Sequence, residues 1–466
     1  MNKELSHIKN LIPMIDATVS PTFCLAKWHH TTIYLQTGET HSCYHPPPHK
    51  IELDELERNP SALHNTKEKK EQRRQMLAGE KPDGCSYCWK IEEMGKDYVS
   101  DRHIKTTSIY TEERLNEITQ GGFDYNINPE YIEISFSNEC NFKCGYCHPK
   151  ASSRFWNEIN DHGPYETSTE HRQDIDWFDV FHREDENPYV DAWWKWWPEV
   201  SKTLNILRIT GGEPLLHKST WELFDRLDAD PKPHIQIELN SNLGVKTKLV
   251  EKLVERVTKL KTENKIRSFK LYTSIDTWTE RAEYTRTGLD INLWEKNLDY
   301  YLANTGWPVT FMITFNLFTV TSFDSLLKKI LEWRKKYNSD NNETQWQRVR
   351  FDTPHLKEPT IFDMNILPKE DYMPYMRSHL DFLDNNTDDK DRTKFTTLEK
   401  EKFKRVVDYM QSNVYDKKKL IQARKNFHCW FAEYDKRRGT DINAVFPEMK
   451  DFFELCKDTV TGNNYD

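Results

Sequence analysis

From residue 131 onward, short apolar runs alternate with longer stretches whose apolar residues recur every three or four positions. The short runs at 131–137, 204–210, 234–241, 268–275, 308–316 and 347–353 predict strands. The stretches near 216–227, 246–260, 291–304 and 321–337 predict helices with one buried face. Strands regularly separated by helices imply an α/β fold with parallel strands and helical crossovers. In such folds the chemistry sits on loops beyond the C-terminal ends of the strands.

Three regions depart from that rhythm. The first 125 residues carry cysteines and histidines rather than a repeating unit, residues 148–203 interrupt the alternation, and residues 354–466 are mixed and charged. The 148–203 excursion holds Trp193-Trp194-Lys195-Trp196-Trp197. Such a knot can line a cavity, but aromatic stripes more often pack a helix against a core, and a packed helix is the reading favoured here. Lys417–Lys419 and Lys425 predict a solvated helix face.

The most informative motif follows the first predicted strand: Cys140-Asn-Phe-Lys-Cys144-Gly-Tyr146-Cys147. Three thiolates at this tight spacing suit an iron–sulfur cluster with one iron left free of protein ligands. The second predicted strand runs into Gly211-Gly212-Glu213-Pro214. Together the two motifs resemble the radical S-adenosylmethionine (SAM) superfamily, which pairs C-x3-C-x-aromatic-C with a downstream GGEP. The resemblance implies a partial (β/α)6, TIM-like barrel over residues 126–353. It also implies a [4Fe–4S] cluster on Cys140, Cys144 and Cys147. The cluster's open iron would be chelated by SAM, which is cleaved to a 5′-deoxyadenosyl radical. An external electron donor of flavodoxin or ferredoxin type comes with that expectation.

Other SAM contacts are carried over from the same resemblance. Gly211 and Gly212 let backbone approach the methionine ammonium, with Glu213 and Pro214 beside that contact. Tyr146 either lies beside the adenine or packs its own loop. Leu239-Asn-Ser241-Asn242-Leu243-Gly244 is similar to a Thr-Asn-Gly segment of the family, with Leu243 where the family has glycine, and nominates Asn242. Ser274, Asp276 and Arg286 resemble an S-x-D…R-x-G pattern whose polar groups face the ribose and carboxylate of SAM; the alternative is a strand-end turn and helix cap. Val349–Pro354 and Leu367–Lys369 could border the substrate.

Ahead of the barrel stand Cys24 and Cys43, with Gly38 between them as a hairpin turn, and then Cys85-Ser-Tyr-Cys88. The stretch Cys24–Trp28 predicts the opening of a strand. A wide pair and a tight pair make a four-thiolate site that suits structural zinc and [4Fe–4S] alike. The arrangement resembles the Twitch module, a relative of the SPASM domain. It implies an α+β Twitch-like domain over residues 1–125 with an auxiliary [4Fe–4S] cluster on Cys24, Cys43, Cys85 and Cys88. Such modules usually follow the barrel, whereas this one precedes it. His29, His30, His41, His45 and His49 read as polar loop residues, and His148 as a bystander. Cys429 and Cys456 read as buried and inert. Residues 354–466 form a mainly helical C-terminal extension.

Charge narrows the partners. Lys and Arg total 66 against 75 Asp and Glu, which argues against a general nucleic-acid-binding surface. No run approaches the ~18 apolar residues of a membrane span, and the N-terminus lacks a secretion signal, so the expected location is cytoplasmic. Thiols stay reduced there, which favours metal sites over disulfides. The expected function is hydrogen abstraction from a peptide or protein substrate, with the auxiliary cluster in electron transfer. Two other readings stand beside it: dehydrogenation of a small molecule such as a carbohydrate, and a non-catalytic zinc-stabilised binding protein.

Overall fold

The computed structural model describes residues 3–95, 98–167, 175, 179–338 and 347–461. One nine-stranded sheet organises the chain. Its strands are β1 (His30–Tyr34), β2 (Glu39–His41), β3 (His49–Lys50), β4 (Tyr131–Ser135), β5 (Ile206–Thr210), β6 (Lys232–Ser241), β7 (Ile266–Ser274), β8 (Val309–Met312) and β9 (Val349–Asp352). They lie in the order β3-β2-β1-β4-β5-β6-β7-β8-β9. From β1 through β9 every neighbour along that order is parallel, and β2 and β3 add an antiparallel edge. The sheet is open, with β3 and β9 at its two edges.

The period-two pattern of the strands explains the two faces. Ile134, Ile209, Leu239, Leu271, Val309 and Val349 sit in one register row across six strands, all essentially without solvent contact. Helices cover this face. In Thr247–Thr262 the buried residues are Val250, Leu253, Val254, Val257 and Leu260, the i, i+3, i+4, i+7 stripe of a core-facing helix. The opposite face is polar. Glu133, Arg208, Glu238 and Lys270 form one row on β4 to β7, and Asn240, Tyr272, Thr310 and Arg350 form another on β6 to β9.

The six predicted strands all occur, most of them trimmed at the ends. The largest trim is at β8, which stops at Met312 rather than 316. Beyond it Thr314 donates its N–H to Asp276 at 2.8 Å and Phe315 bridges to His355, so the chain leaves the β8–β9 ladder.

The tryptophan stretch is a helix, Pro188–Val200, capped by Asn187, whose side chain accepts from Tyr189 N–H. Trp193, Trp196 and Trp197 are buried, and Trp193 meets Phe136 edge-on at 6.2 Å. They fill the core.

The N-terminal region differs from expectation in two ways. Ala26–His29 is a short helix, not the opening of a strand, and β1 begins only at His30. β1 then pairs with β4, so this region extends the same sheet. Gly38 does turn the β1–β2 hairpin, with φ 60°. His29 and His41 are buried rather than loop residues, and burial lowers the pKa of each to about 4. Residues 369–461 are mainly helical, in Lys369–Asn385, Thr397–Ser412, Lys417–Arg438, Ile442–Val445 and Lys450–Thr461. Cys456 is buried, whereas Cys429 is only partly so. Among the described residues no helix is long and apolar enough to cross a membrane.

Candidate functional site

The three-cysteine loop leaves the C-terminal end of β4 and is clamped from several sides. Lys143 N–H donates to Thr287 O at 2.9 Å and Gly145 N–H to Thr285 O at 3.0 Å, pairing the loop with the segment that carries Arg286. Ser152 Oγ donates to Phe142 O at 2.6 Å, and Asn141 Nδ2 to Gly244 O at 2.8 Å. Within this frame Cys140, Cys144 and Cys147 are half-buried. Burial raises all three thiol pKa values, that of Cys147 to about 12, and for Cys140 and Cys147 the neighbouring Cys144 adds to the rise. A cation bound here must therefore displace protons. Phe142 N–H points at the Cys140 sulfur at 3.4 Å, and Asn242 Nδ2 lies 3.9 Å from it.

Gly211 and Gly212 have φ of 78° and 49°, a region that favours glycine. A Cβ on Gly211 would collide with Ser135, and one on Gly212 with the backbone of Glu139. The glycines thus let the end of β5 press against the three-cysteine loop, and Glu213 N–H donates to Glu139 O at 2.8 Å. Pro214 is buried at the start of the following turn.

Glu213 is fully enclosed. Its carboxylate accepts from Ser241 Oγ at 2.7 Å, Asn242 N–H at 2.6 Å and Leu215 N–H at 3.1 Å, tying the end of β5 to the end of β6. Burial raises its pKa to about 7 against those three bonds. Asn242 also bonds Asn141 at 2.9 Å, which links β6 directly to the three-cysteine loop. Leu243 takes φ 52°, the left-handed conformation that glycine adopts freely. That strain costs roughly 1–2 kcal/mol. Asn297 holds it with bonds to Leu243 O and Val245 O, both at 2.8 Å.

Asp276 and Arg286 are buried and bonded to each other through two oxygens, at 3.0 and 2.9 Å. Tyr146 OH donates to Asp276 at 2.6 Å, and its ring lies 5.4 Å from the Arg286 guanidinium. The pair therefore anchors Tyr146, and through it the three-cysteine loop, to the end of β7. Burial raises the Tyr146 phenol well above its ordinary pKa, so it remains a donor. Ser274 is the last residue of β7, in register with Met312. His148 accepts from Lys150 N–H and caps the short turn after Cys147.

The sequence carried no signal for the C-terminal extension's role here. Arg438 donates to Lys143 O at 2.7 Å, to Thr287 Oγ1 at 2.9 Å and to both oxygens of buried Glu158. Phe362 and Tyr434 close over Gly145, leaving no room for a Cβ there. No local pattern marks these residues, because their partners lie up to nearly 300 positions away.

The second cysteine group lies elsewhere. Cys24, Cys43, Cys85 and Cys88 line one cavity together with Lys27, Arg102 and Lys105. Cys24 precedes β1, and Cys43 follows β2, which runs antiparallel to β1. This places the cavity at the N-terminal ends of the parallel strands, whereas Cys140, Cys144 and Cys147 lie beyond their C-terminal ends. The five-residue strands between these two ends rise by about 13 Å. Burial pushes the Cys24 thiol up to about 12, with Cys43 and Cys85 adding to it, and Cys88 to about 11. Among the described residues no three His, Cys, Asp or Glu side chains converge closely enough to hold a metal ion as they stand. The four N-terminal cysteines line one shared cavity.

No family profile and no curated protein matches the chain. Solved structures do resemble it in part. Native anSMEcpe with bound AdoMet matches at 15% identity and TM-score 0.34, covering 54% of this chain and 60% of that one. Streptococcus suis SuiB bound to precursor peptide SuiA matches at 13% and 0.33, covering 65% and 60%. SuiB bound to S-adenosylmethionine matches at 13% and 0.32, covering 79% and 70%. The chain thus spans about 60% of the length of the first two. Likenesses this distant carry no weight about its chemistry, which has to be read from its own residues.

Proposed function

We propose that the chain is a radical SAM enzyme with an auxiliary, Twitch-like iron–sulfur site. One observation carries the reading. Three cysteines stand on a loop at the C-terminal end of a parallel strand, with no fourth His, Cys, Asp or Glu converging on them among the described residues, and the GGEP segment is pressed against that loop through two glycines. Cys140, Cys144 and Cys147 would hold a [4Fe–4S] cluster, and thiolates are the ligands such clusters use. When bound, that cluster and SAM supply reductive cleavage to a 5′-deoxyadenosyl radical, which abstracts hydrogen from the substrate.

The chain's own work is to hold and shield. Asp276, Arg286 and Tyr146 form a buried anchor that fixes the three-cysteine loop. Glu213 and Asn242 fix the ends of β5 and β6 beneath it. Phe362, Tyr434 and Arg438 cover its outer side and keep water away. The polar rows on the other face of the sheet suit a substrate that brings hydrogen-bonding groups, such as a peptide. Cys24, Cys43, Cys85 and Cys88 supply four thiolates for the auxiliary cluster, a full ligand set that suits electron transfer over direct substrate ligation.

The test is iron and sulfide quantification on anaerobically purified protein, followed by a SAM-cleavage assay with dithionite. The reading expects both elements and 5′-deoxyadenosine. Protein fully loaded with iron that forms no 5′-deoxyadenosine would overturn it.

A further inference from the structure

Lys27 is only 2% exposed, yet among the described residues no carboxylate lies within ion-pair distance of its ammonium. Among the described residues its ammonium donates to the neutral amide of Gln72. Glu68 acts on that ammonium from beyond ion-pair distance and accepts from Gln72 Nε2 at 3.2 Å, but that carboxylate is largely exposed, so the buried ammonium still calls for an anion on its other side. The cavity it lines offers one source, the thiolates of Cys24, Cys43, Cys85 and Cys88.

The rest of the wall carries two cations and one carboxylate, and Arg102 is itself paired with Glu92 and Asp16. Arg102 and Lys105 also line the cavity, and the ammonium of Lys105 lies 4.3 Å over the ring of Tyr44, the residue after Cys43. The carboxylate on the wall, Asp101, is taken up by His45 at 2.6 Å. The backbone amides of His45 and Arg102 lie against the sulfurs of Cys43 and Cys88. At the three-cysteine loop the cations are matched by carboxylates, Arg286 by Asp276 and Arg438 by Glu158, each at 2.9 Å.

From this asymmetry we infer that Lys27 is the counter-cation of the metal group held by the four N-terminal cysteines and raises that group's reduction potential. The inference rests on the iron–sulfur reading of this site. Four thiolates around a [4Fe–4S] core leave a net negative charge that grows on reduction. A fixed cation in the wall stabilises the reduced form more than the oxidised form, as local charge and hydrogen bonds to sulfur do in general. A group poised in this way suits an electron acceptor.

The experiment is an EPR-monitored redox titration of the full chain, with the N-terminal signal assigned by its loss in Cys88→Ala. Lys27→Met is expected to move that signal's midpoint to more negative potential at unchanged iron and sulfide content, and Lys27→Arg to leave it near wild type. Lys105→Gln, at a half-buried position with less risk to folding, is expected to shift it the same way by less. An unchanged midpoint in Lys27→Met, or in Lys105→Gln should the first variant not fold, overturns the role of the cation shell while leaving the cluster in place. Iron content that Cys88→Ala does not lower overturns the cluster assignment itself, and the inference with it.

Discussion

The two cysteine groups are built by opposite means. The N-terminal four are gathered from segments up to 64 residues apart into one cavity, whose wall also holds Lys27, Arg102, Lys105 and the carboxylate of Asp101. The other three lie within eight residues on one loop, which glycines, an enclosed carboxylate and a buried ion pair hold against neighbouring strand ends. A four-thiolate cavity can satisfy a metal group by itself. A three-thiolate loop leaves one position to something that arrives from outside, and its scaffold is spent on holding the loop still.

The largest expected effect separates the two groups outright. Cys144→Ala should eliminate 5′-deoxyadenosine formation with dithionite, measured by chromatography. Cys88→Ala should keep it while lowering turnover of the true substrate. Equal loss in both variants would mean that the groups do not divide the work as proposed.

Next come the arginines of the two regions. Arg286→Met strands Asp276, which has no solvent contact, and is expected to lower stability by about 3–5 kcal/mol in urea denaturation. Arg102→Met at the N-terminal cavity leaves Glu92 and Asp16 partly exposed to water, so the expected loss is smaller, about 1.5–3 kcal/mol. The reverse order would show that the N-terminal cavity, not the three-cysteine loop, is the more tightly built.

Comparable in size to the Arg102 effect is a slope with pH. The Glu213 pKa is raised from 4.5 to about 7, so the folded chain keeps a proton that the unfolded chain has released. The resulting stabilisation is complete below about pH 4.5 and is lost as the pH rises through 7. It amounts to something on the order of 3 kcal/mol across that window. Denaturation midpoints measured from pH 5 to 8 should fall in wild type, and Glu213→Gln should lack that part of the slope. A variant that keeps the whole slope would place its origin at another group.

Much of the parallel sheet could be read from the chain. The alternation of period-two and helical stretches placed six strands and four helices within a few residues, because a strand buried on one face must alternate and a covering helix must carry a stripe. Glu213, Asp276 and Arg286 were also nominated from their motifs. Their partners were not: Glu213 binds the end of β6, and Asp276 and Arg286 bind each other. Leu243, a departure from the glycine pattern, keeps the glycine-like backbone at the expense of strain that Asn297 holds in place.

Local order therefore settled what is local: the spacing of Cys140, Cys144 and Cys147, the glycines that permit close approach, and the faces of strands and helices. Only the tertiary structure decided that β1 continues the sheet beside β4, that the two cysteine groups lie at opposite ends of the strands, and that Arg438 and Tyr434 close over the three-cysteine loop. The reason is physical. Periodicity and spacing act between near neighbours in the chain, whereas strand order, enclosed charge and the walls of a cavity arise between residues that only folding brings together.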